Sequence, residues 1–242
     1  MTDHTYLGET LTVPTADGET LRVTVAYRDD TDVNRLVMIF PPNPILGGDS
    51  QNNVVQALLE EAAARGALAV TFDYRGVADG RVGQVDMMTY WENLNETGDF
   101  SDILTDVTTV AAAVKKAFGS TGCQALIGYS FGCLIAVQSA TALGCSTVAG
   151  ISPPIGEYDF TPFLDGLDLT VFVAPEDLFC PAEEAKDVFG GYGCPIVDIP
   201  SDDHFFRDTE PLLAQQVFDS LMPEMSSYHS PRFSDNTRKN RE

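Results

Sequence analysis

The feature that most constrains this chain is a repeated alternation of short apolar runs with helix-like segments. The runs fall at residues 36–40, 68–74, 124–129, 147–151, 169–174 and 195–199. A strand with one wet face alternates apolar and polar residues, whereas a run with so little polar interruption suits a strand covered on both faces of a parallel sheet. Between runs, residues 51–65 set Val54, Val55, Leu58, Leu59 and Ala62 on one helical face before Gly66. Residues 101–118 do the same with Ile103, Val107, Val110, Val114 and Phe118 before Gly119. A glycine just past the last periodic residue is a helix stop. Residues 131–143, 182–189 and 210–222 predict three more helices. Right-handed crossovers between parallel strands wind such helices onto both faces, so the predicted fold class is α/β, a doubly wound and mostly parallel sheet. The N-terminus reads differently. Residues 9–13 and 20–27 alternate around Asp17-Gly18, which predicts an antiparallel hairpin.

No internal repeat or linker divides residues 1–222, which read as a single domain. Two stretches escape the alternation and are candidate lid or specificity loops: 76–100, with Tyr90 and Trp91, and 152–166, with Tyr158, Phe160 and Phe163. The tail 223–242 is polar and predicted to be disordered. Of 242 residues, 44% are hydrophobic, enough for a core, yet the formal net charge is −22. The tail carries +1, so the body carries −23 (10 basic and 33 acidic residues). A chain so short of cations is a poor partner for nucleic acid or an anionic membrane. No signal peptide or spanning run is legible, and a cytoplasmic location is expected. The five cysteines include no C-x-x-C pair and read as buried free thiols.

The chemistry centres on Gly128-Tyr129-Ser130-Phe131-Gly132, a G-x-S-x-G sequence between an apolar run and a helical one. In a strand–turn–helix setting the serine stands on a sharp turn at a helix N-terminus, where backbone N–H groups favour developing negative charge. A serine hydroxyl needs a base to take its proton. There are three histidines, and His4 and His229 lie near the ends, leaving His204 on the loop after the last apolar run. A carboxylate should orient that imidazole. Asp177, just past run 169–174, is favoured over its neighbour Glu176, over Asp159, and over Asp202 and Asp203 beside the base. The order Ser130, Asp177, His204 is the one the nucleophile-elbow hydrolases use. Two backbone donors should form an oxyanion hole. Phe131 N–H is one; the other falls to Asn43, because Pro41, Pro42 and Pro44 around it have no N–H. Tyr129, Trp91, Tyr90, Phe160, Phe163 and Phe205 are candidate pocket residues.

These residues resemble a small α/β-hydrolase family whose oxyanion loop reads H-P-H-P-x-x-G-G, followed by an asparagine and a Val-Val pair. Pro44, Gly47-Gly48, Asn52 and Val54-Val55 match in register. So do Arg75-Gly76-Val77, Gly98-Asp99 with Asp102, the G-x-S-F-G elbow at Gly128–Gly132, and Asp203–Phe206 for D-H-F-F. Pro41 and Asn43 replace both histidines of the loop, and the stretch from Arg75 to Gly98 is longer than in the family. The resemblance implies an α/β-hydrolase fold and a serine esterase or thioesterase without cofactor.

The expected activity is therefore cleavage of a carboxylic ester, thioester or lactone through an acyl-enzyme. Acyl transfer or cyclisation on the same triad is the alternative, and a non-catalytic ligand-binding protein a more remote one. Serine at position 130 excludes aspartate-nucleophile dehalogenases and cysteine-dependent lactone hydrolases, and no metal-ligand spacing or phosphate loop occurs. An acidic body opposes anionic substrates such as acyl-CoA, so a neutral or cationic small-molecule acyl substrate is expected.

Overall fold

The structure is a computed structural model that describes residues 6–120 and 122–223. His4, His229 and the expected disordered tail from Glu224 onward lie outside the described residues. The predicted hairpin is present: β1 (Tyr6–Pro14) pairs antiparallel with β2 (Thr20–Arg28) across a turn where Gly18 takes φ 96°. A left-handed residue there matches the twist of the two strands, which glycine tolerates without steric cost.

Beyond the hairpin the sheet is parallel. β3 (Leu36–Phe40), β4 (Leu68–Phe72), β7 (Cys123–Tyr129), β8 (Thr147–Ile151), β9 (Asp168–Val173) and β10 (Ile196–Asp198) correspond to the six apolar runs. The order across the eight-stranded sheet is β1-β2-β4-β3-β7-β8-β9-β10, with β2 antiparallel to β4 and every later pair parallel. The chain winds from β3 outward to β4, then crosses to β7 on the other side of β3. The direction of winding therefore reverses between β3 and β7. In open α/β sheets the crevice at the carboxyl ends of strands flanking such a reversal is where ligands bind.

Helices cover both faces. α1 (Asn53–Ala64) and α6 (Glu210–Leu221) pack on one, against Val37, Ile39, Ile127 and Phe172. α3 (Ser101–Phe118), α4 (Phe131–Leu143) and α5 (Ala182–Gly190) pack on the other, against Met38, Phe40, Leu126 and Val171. Successive strand residues thus feed opposite cores, which is why the runs carry no polar alternation. Asn52 caps α1 by accepting a hydrogen bond from Val54 N–H at 3.0 Å.

The stretch 76–100 departs from its reading as structureless loop. It forms a short hairpin, β5 (Arg81–Val82) with β6 (Val85–Asp86), followed by α2 (Met87–Thr97). Asp86 caps α2 by accepting from Thr89 N–H at 3.0 Å, and Gly98 closes it in the left-handed conformation. Only Trp91 and Leu94 of α2 are buried, too narrow an apolar stripe to register as helical periodicity. The 152–166 stretch remains irregular apart from a single 3-10 turn at Thr161–Phe163. All five thiols are free, with Cys133, Cys145 and Cys180 buried. Among the described residues no helix is long and apolar enough to cross a membrane.

Candidate active site

Ser130 lies between β7 and α4 with φ 54° and ψ −122°, a conformation glycine adopts freely and other residues pay to hold. Its N–H donates to Ile151 O at 2.8 Å, which ties the turn to the neighbouring strand β8. The two flanking glycines have a steric reason. A Cβ on Gly128 would stand 2.4 Å from Cys133 Cα, and one on Gly132 would stand 2.1 Å from Phe40 O. Cys133 is buried beneath the turn with its Sγ 3.1 Å from Gly128 O and 3.2 Å from Ile151 O, and burial pushes its thiol pKa well up. The Ser130 hydroxyl makes no capping bond to α4.

His204 and Asp177 come together from the loops after β10 and β9. Nδ1 of His204 is 2.9 Å from Asp177 Oδ2 and 3.1 Å from Oδ1. An ionised carboxylate can only accept, so Nδ1 carries the proton, and in the neutral ring that leaves Nε2 as an acceptor. Asp177 is 2% exposed, and Oδ1 also accepts from Phe179 N–H at 2.8 Å and Cys180 N–H at 3.1 Å. Burial alone would raise its pKa. The hydrogen bond from His204 and the nearby Ser152 hydroxyl outweigh that and hold it below the usual aspartate value. Ser152 itself, buried at φ 47° after β8, does not reach full hydrogen-bond geometry.

The rival carboxylates are placed elsewhere. Glu176 is exposed; Asp159 accepts from Thr161, and Asp203 from Phe205 N–H. His204 is held against the elbow by Tyr129, whose hydroxyl donates to His204 O at 3.0 Å and whose ring stacks on the imidazole at 5.5 Å. Phe205 meets the imidazole edge-on at 5.7 Å. A residue the sequence reading passed over, Phe179, lies tilted against the imidazole at 4.9 Å and is 42% exposed. Its position two residues after Asp177 was the available signal.

The loop after β3 explains how Pro41 and Asn43 are accommodated. Asn43 caps the 3-10 turn Pro44–Leu46: its Oδ1 accepts from Ile45 N–H at 3.0 Å, and Pro44 occupies the first helical position. Gly47 ends the turn at φ 78°, and a Cβ on Gly48 would stand 2.4 Å from Pro42 O. At Pro41 the carbonyl is used, accepting from the Tyr74 hydroxyl at 3.3 Å. Among the described residues no protein acceptor sits on the N–H of Asn43 or of Phe131.

The remaining pocket candidates divide. Trp91 has no exposed surface; it packs between Tyr74 and Phe131, and its Nε1–H donates to Arg75 O at 2.9 Å. Phe160 is buried against Phe189, while Tyr90 and Phe163 are half-buried. In this conformation Trp91 and Phe160 therefore support the walls without offering surface to a substrate. A recess of about 370 Å³ runs between the 152–166 loop and α5, but Ser130, Asp177 and His204 do not line it.

Solved structures of similar fold include an α/β serine hydrolase homologue from Coxiella burnetii, 20% identical over 88% of this chain and 97% of that one, with a TM-score of 0.71. A second, XC6422 from Xanthomonas campestris, is a serine hydrolase without a lid; it is 23% identical over 90% of this chain and 94% of that one, TM-score 0.73. Est1E from Butyrivibrio proteoclasticus with ferulic acid bound is 17% identical over 89% and 99%, TM-score 0.67. At these identities the likeness is one of fold. No curated protein matches the chain. A model of the alpha/beta hydrolase family matches residues 49–239, most of the sequence. Together with the sheet order and the elbow after β7, that match makes the chain a member of the alpha/beta hydrolase family.

Proposed function

We propose that this protein is a serine hydrolase that cleaves a carboxylic ester, thioester or lactone. The observation that carries the reading is the buried Asp177–His204 pair, 2.9 Å apart, held by Tyr129 beside a serine in a strained strand–helix turn. Ser130 Oγ attacks the carbonyl carbon as His204 Nε2 takes its proton. The imidazolium that forms is stabilised by Asp177, whose lowered pKa keeps it ionised at working pH. Phe131 N–H, at the N-terminus of α4, and Asn43 N–H receive the oxyanion. His204 then protonates the leaving alcohol or thiol, and water attacks the acyl-enzyme by the same route in reverse.

The matches at Pro44, Gly47-Gly48 and Asp203–Phe206 support a reading as one of the small H-P-H-P-type members of the family, from which Pro41 and Asn43 depart. The net charge of −23 on residues 1–222 disfavours anionic substrates, so a neutral or cationic ester is the preferred class. The test is labelling with a fluorophosphonate and turnover of short p-nitrophenyl esters, followed by incorporation of oxygen from labelled water into the acid product. Wild-type protein is expected to label at Ser130 and to turn over. Full activity in Ser130→Ala would refute the assignment, and product without labelled oxygen would refute hydrolysis.

A further inference from the structure

One residue touches both halves of the oxyanion hole named above. Tyr158, on the loop after β8, packs its ring on Phe131 at 5.6 Å and on Phe100 at 6.0 Å. Its hydroxyl accepts from Asn43 Nδ2 at 3.2 Å and donates to Asn95 Oδ1, on α2, at 2.9 Å. Asn43 Nδ2 also lies 3.5 Å from Asn95 Oδ1. The Asn43 carboxamide is thus bonded at both ends, to Ile45 N–H through its oxygen and to Tyr158 through its nitrogen.

We propose that Tyr158 is a positioning residue for the oxyanion hole: by fixing the Asn43 side chain and bracing the Phe131 ring, it aims both backbone N–H groups at the developing oxyanion. The proposal rests on the serine hydrolase reading and adds to it a residue that the sequence motifs do not carry. Its physical basis is that a backbone donor stabilises an oxyanion only if its direction is set in advance. The orientation of the Asn43 N–H follows from the backbone at residues 42 and 43. That backbone is held through the side chain of Asn43, at φ −64° and ψ 127°. Tyr158 therefore acts through its neighbours. The latch also joins three segments remote in sequence, the β3 loop, α2 and the β8 loop.

The prediction is a change in the transition state with the ground state spared. Tyr158→Phe keeps the ring and removes the hydroxyl. With a p-nitrophenyl ester, kcat should fall about five- to tenfold, in line with one lost hydrogen bond, while KM stays within about twofold. Affinity for an alkyl trifluoromethyl ketone, which adds to Ser130 as a tetrahedral oxyanion, should weaken by the same factor as kcat. In an Asn43→Ala background the same substitution should have little further effect, because the group it acts through is gone. Should Tyr158→Phe fail to fold, Asn95→Ala, at a half-buried position, removes the acceptor that orients the hydroxyl and should give the same pattern at smaller size.

An unchanged kcat overturns the proposal. A raised KM at constant kcat overturns it too, by making Tyr158 a substrate contact, and so does an undiminished effect in the Asn43→Ala background. Fluorophosphonate labelling separates this failure from that of the parent reading. A wild type that labels at Ser130 beside an unaltered Tyr158→Phe refutes the positioning role alone. A folded wild type that neither labels nor turns over refutes both.

Discussion

The backbone at Ser130 makes a stability prediction that runs against the usual direction. Its φ of 54° with ψ −122° belongs to a region that costs a non-glycine residue about 1–3 kcal/mol. Comparing Ser130→Gly with Ser130→Ala isolates that cost, since both lack the hydroxyl. Glycine relieves about 2 kcal/mol of strain, loses about 0.7 kcal/mol through the greater freedom of the unfolded chain, and gives up at most about 0.8 kcal/mol of methyl burial. The net is a gain of about 0.5 kcal/mol for glycine. Ala140, 1% exposed in α4, supplies the reference. There, alanine to glycine loses about 1 kcal/mol of helix propensity and about 0.8 kcal/mol of burial, a cost of about 2 kcal/mol. The two changes should therefore differ by about 2.5 kcal/mol, or about 5–10 °C in Tm for a chain of this length. Urea unfolding followed by circular dichroism, with calorimetry alongside, measures both. If glycine at position 130 costs as much relative to alanine as it does at position 140, the turn stores no strain and the reasoning is wrong.

Two further outcomes can be checked on the same equipment. Asp177 has a pKa below the ordinary aspartate value in the folded state, so it contributes stability above that ordinary value and loses it as pH falls through the lowered one. The Tm gap between wild type and Asp177→Asn should narrow as pH falls below about 4; a gap that goes on widening below that pH would contradict the assignment. The second concerns Arg75, 4% exposed, which is clamped by Asp106 at 2.6 and 2.7 Å and by half-exposed Asp17 at 2.5 Å. Asp106→Asn leaves that guanidinium buried with only its outer partners, Asp17 and, at 3.9 Å, Asp102, and should cost about 3 kcal/mol, or about 6–12 °C in Tm. A change under about 0.5 kcal/mol would show the pair to be dispensable, whereas Arg75→Met combined with Asp106→Leu should recover part of the loss.

The contrast between α2 and the elbow shows what could be read in advance. Strand–helix order, the hairpin and the turn at Ser130 were legible because each depends on local spacing: apolar runs, a glycine stop, a glycine on each side of a serine. α2 was hidden, since only Trp91 and Leu94 turn inward and its capping residue Asp86 sits in a polar stretch. Trp91 and Phe160 looked like pocket aromatics in sequence, yet both are buried in the walls. Burial depends on what other segments bring, and composition carries no record of that.

By itself the sequence determined the class of sheet, the serine at its turn and the scarcity of histidine that singled out His204. These follow from short-range rules of periodicity, backbone freedom and chemical type. Only the tertiary structure decided which of several carboxylates meets His204, and that Asn43, Asn95 and Tyr158 share one hydrogen-bonded latch. The members of that latch lie 52, 63 and 115 residues apart. Contacts at such separations are set by how the crossovers stack β3, β7, β8 and β9 side by side. No local pattern in the chain encodes the distances that result.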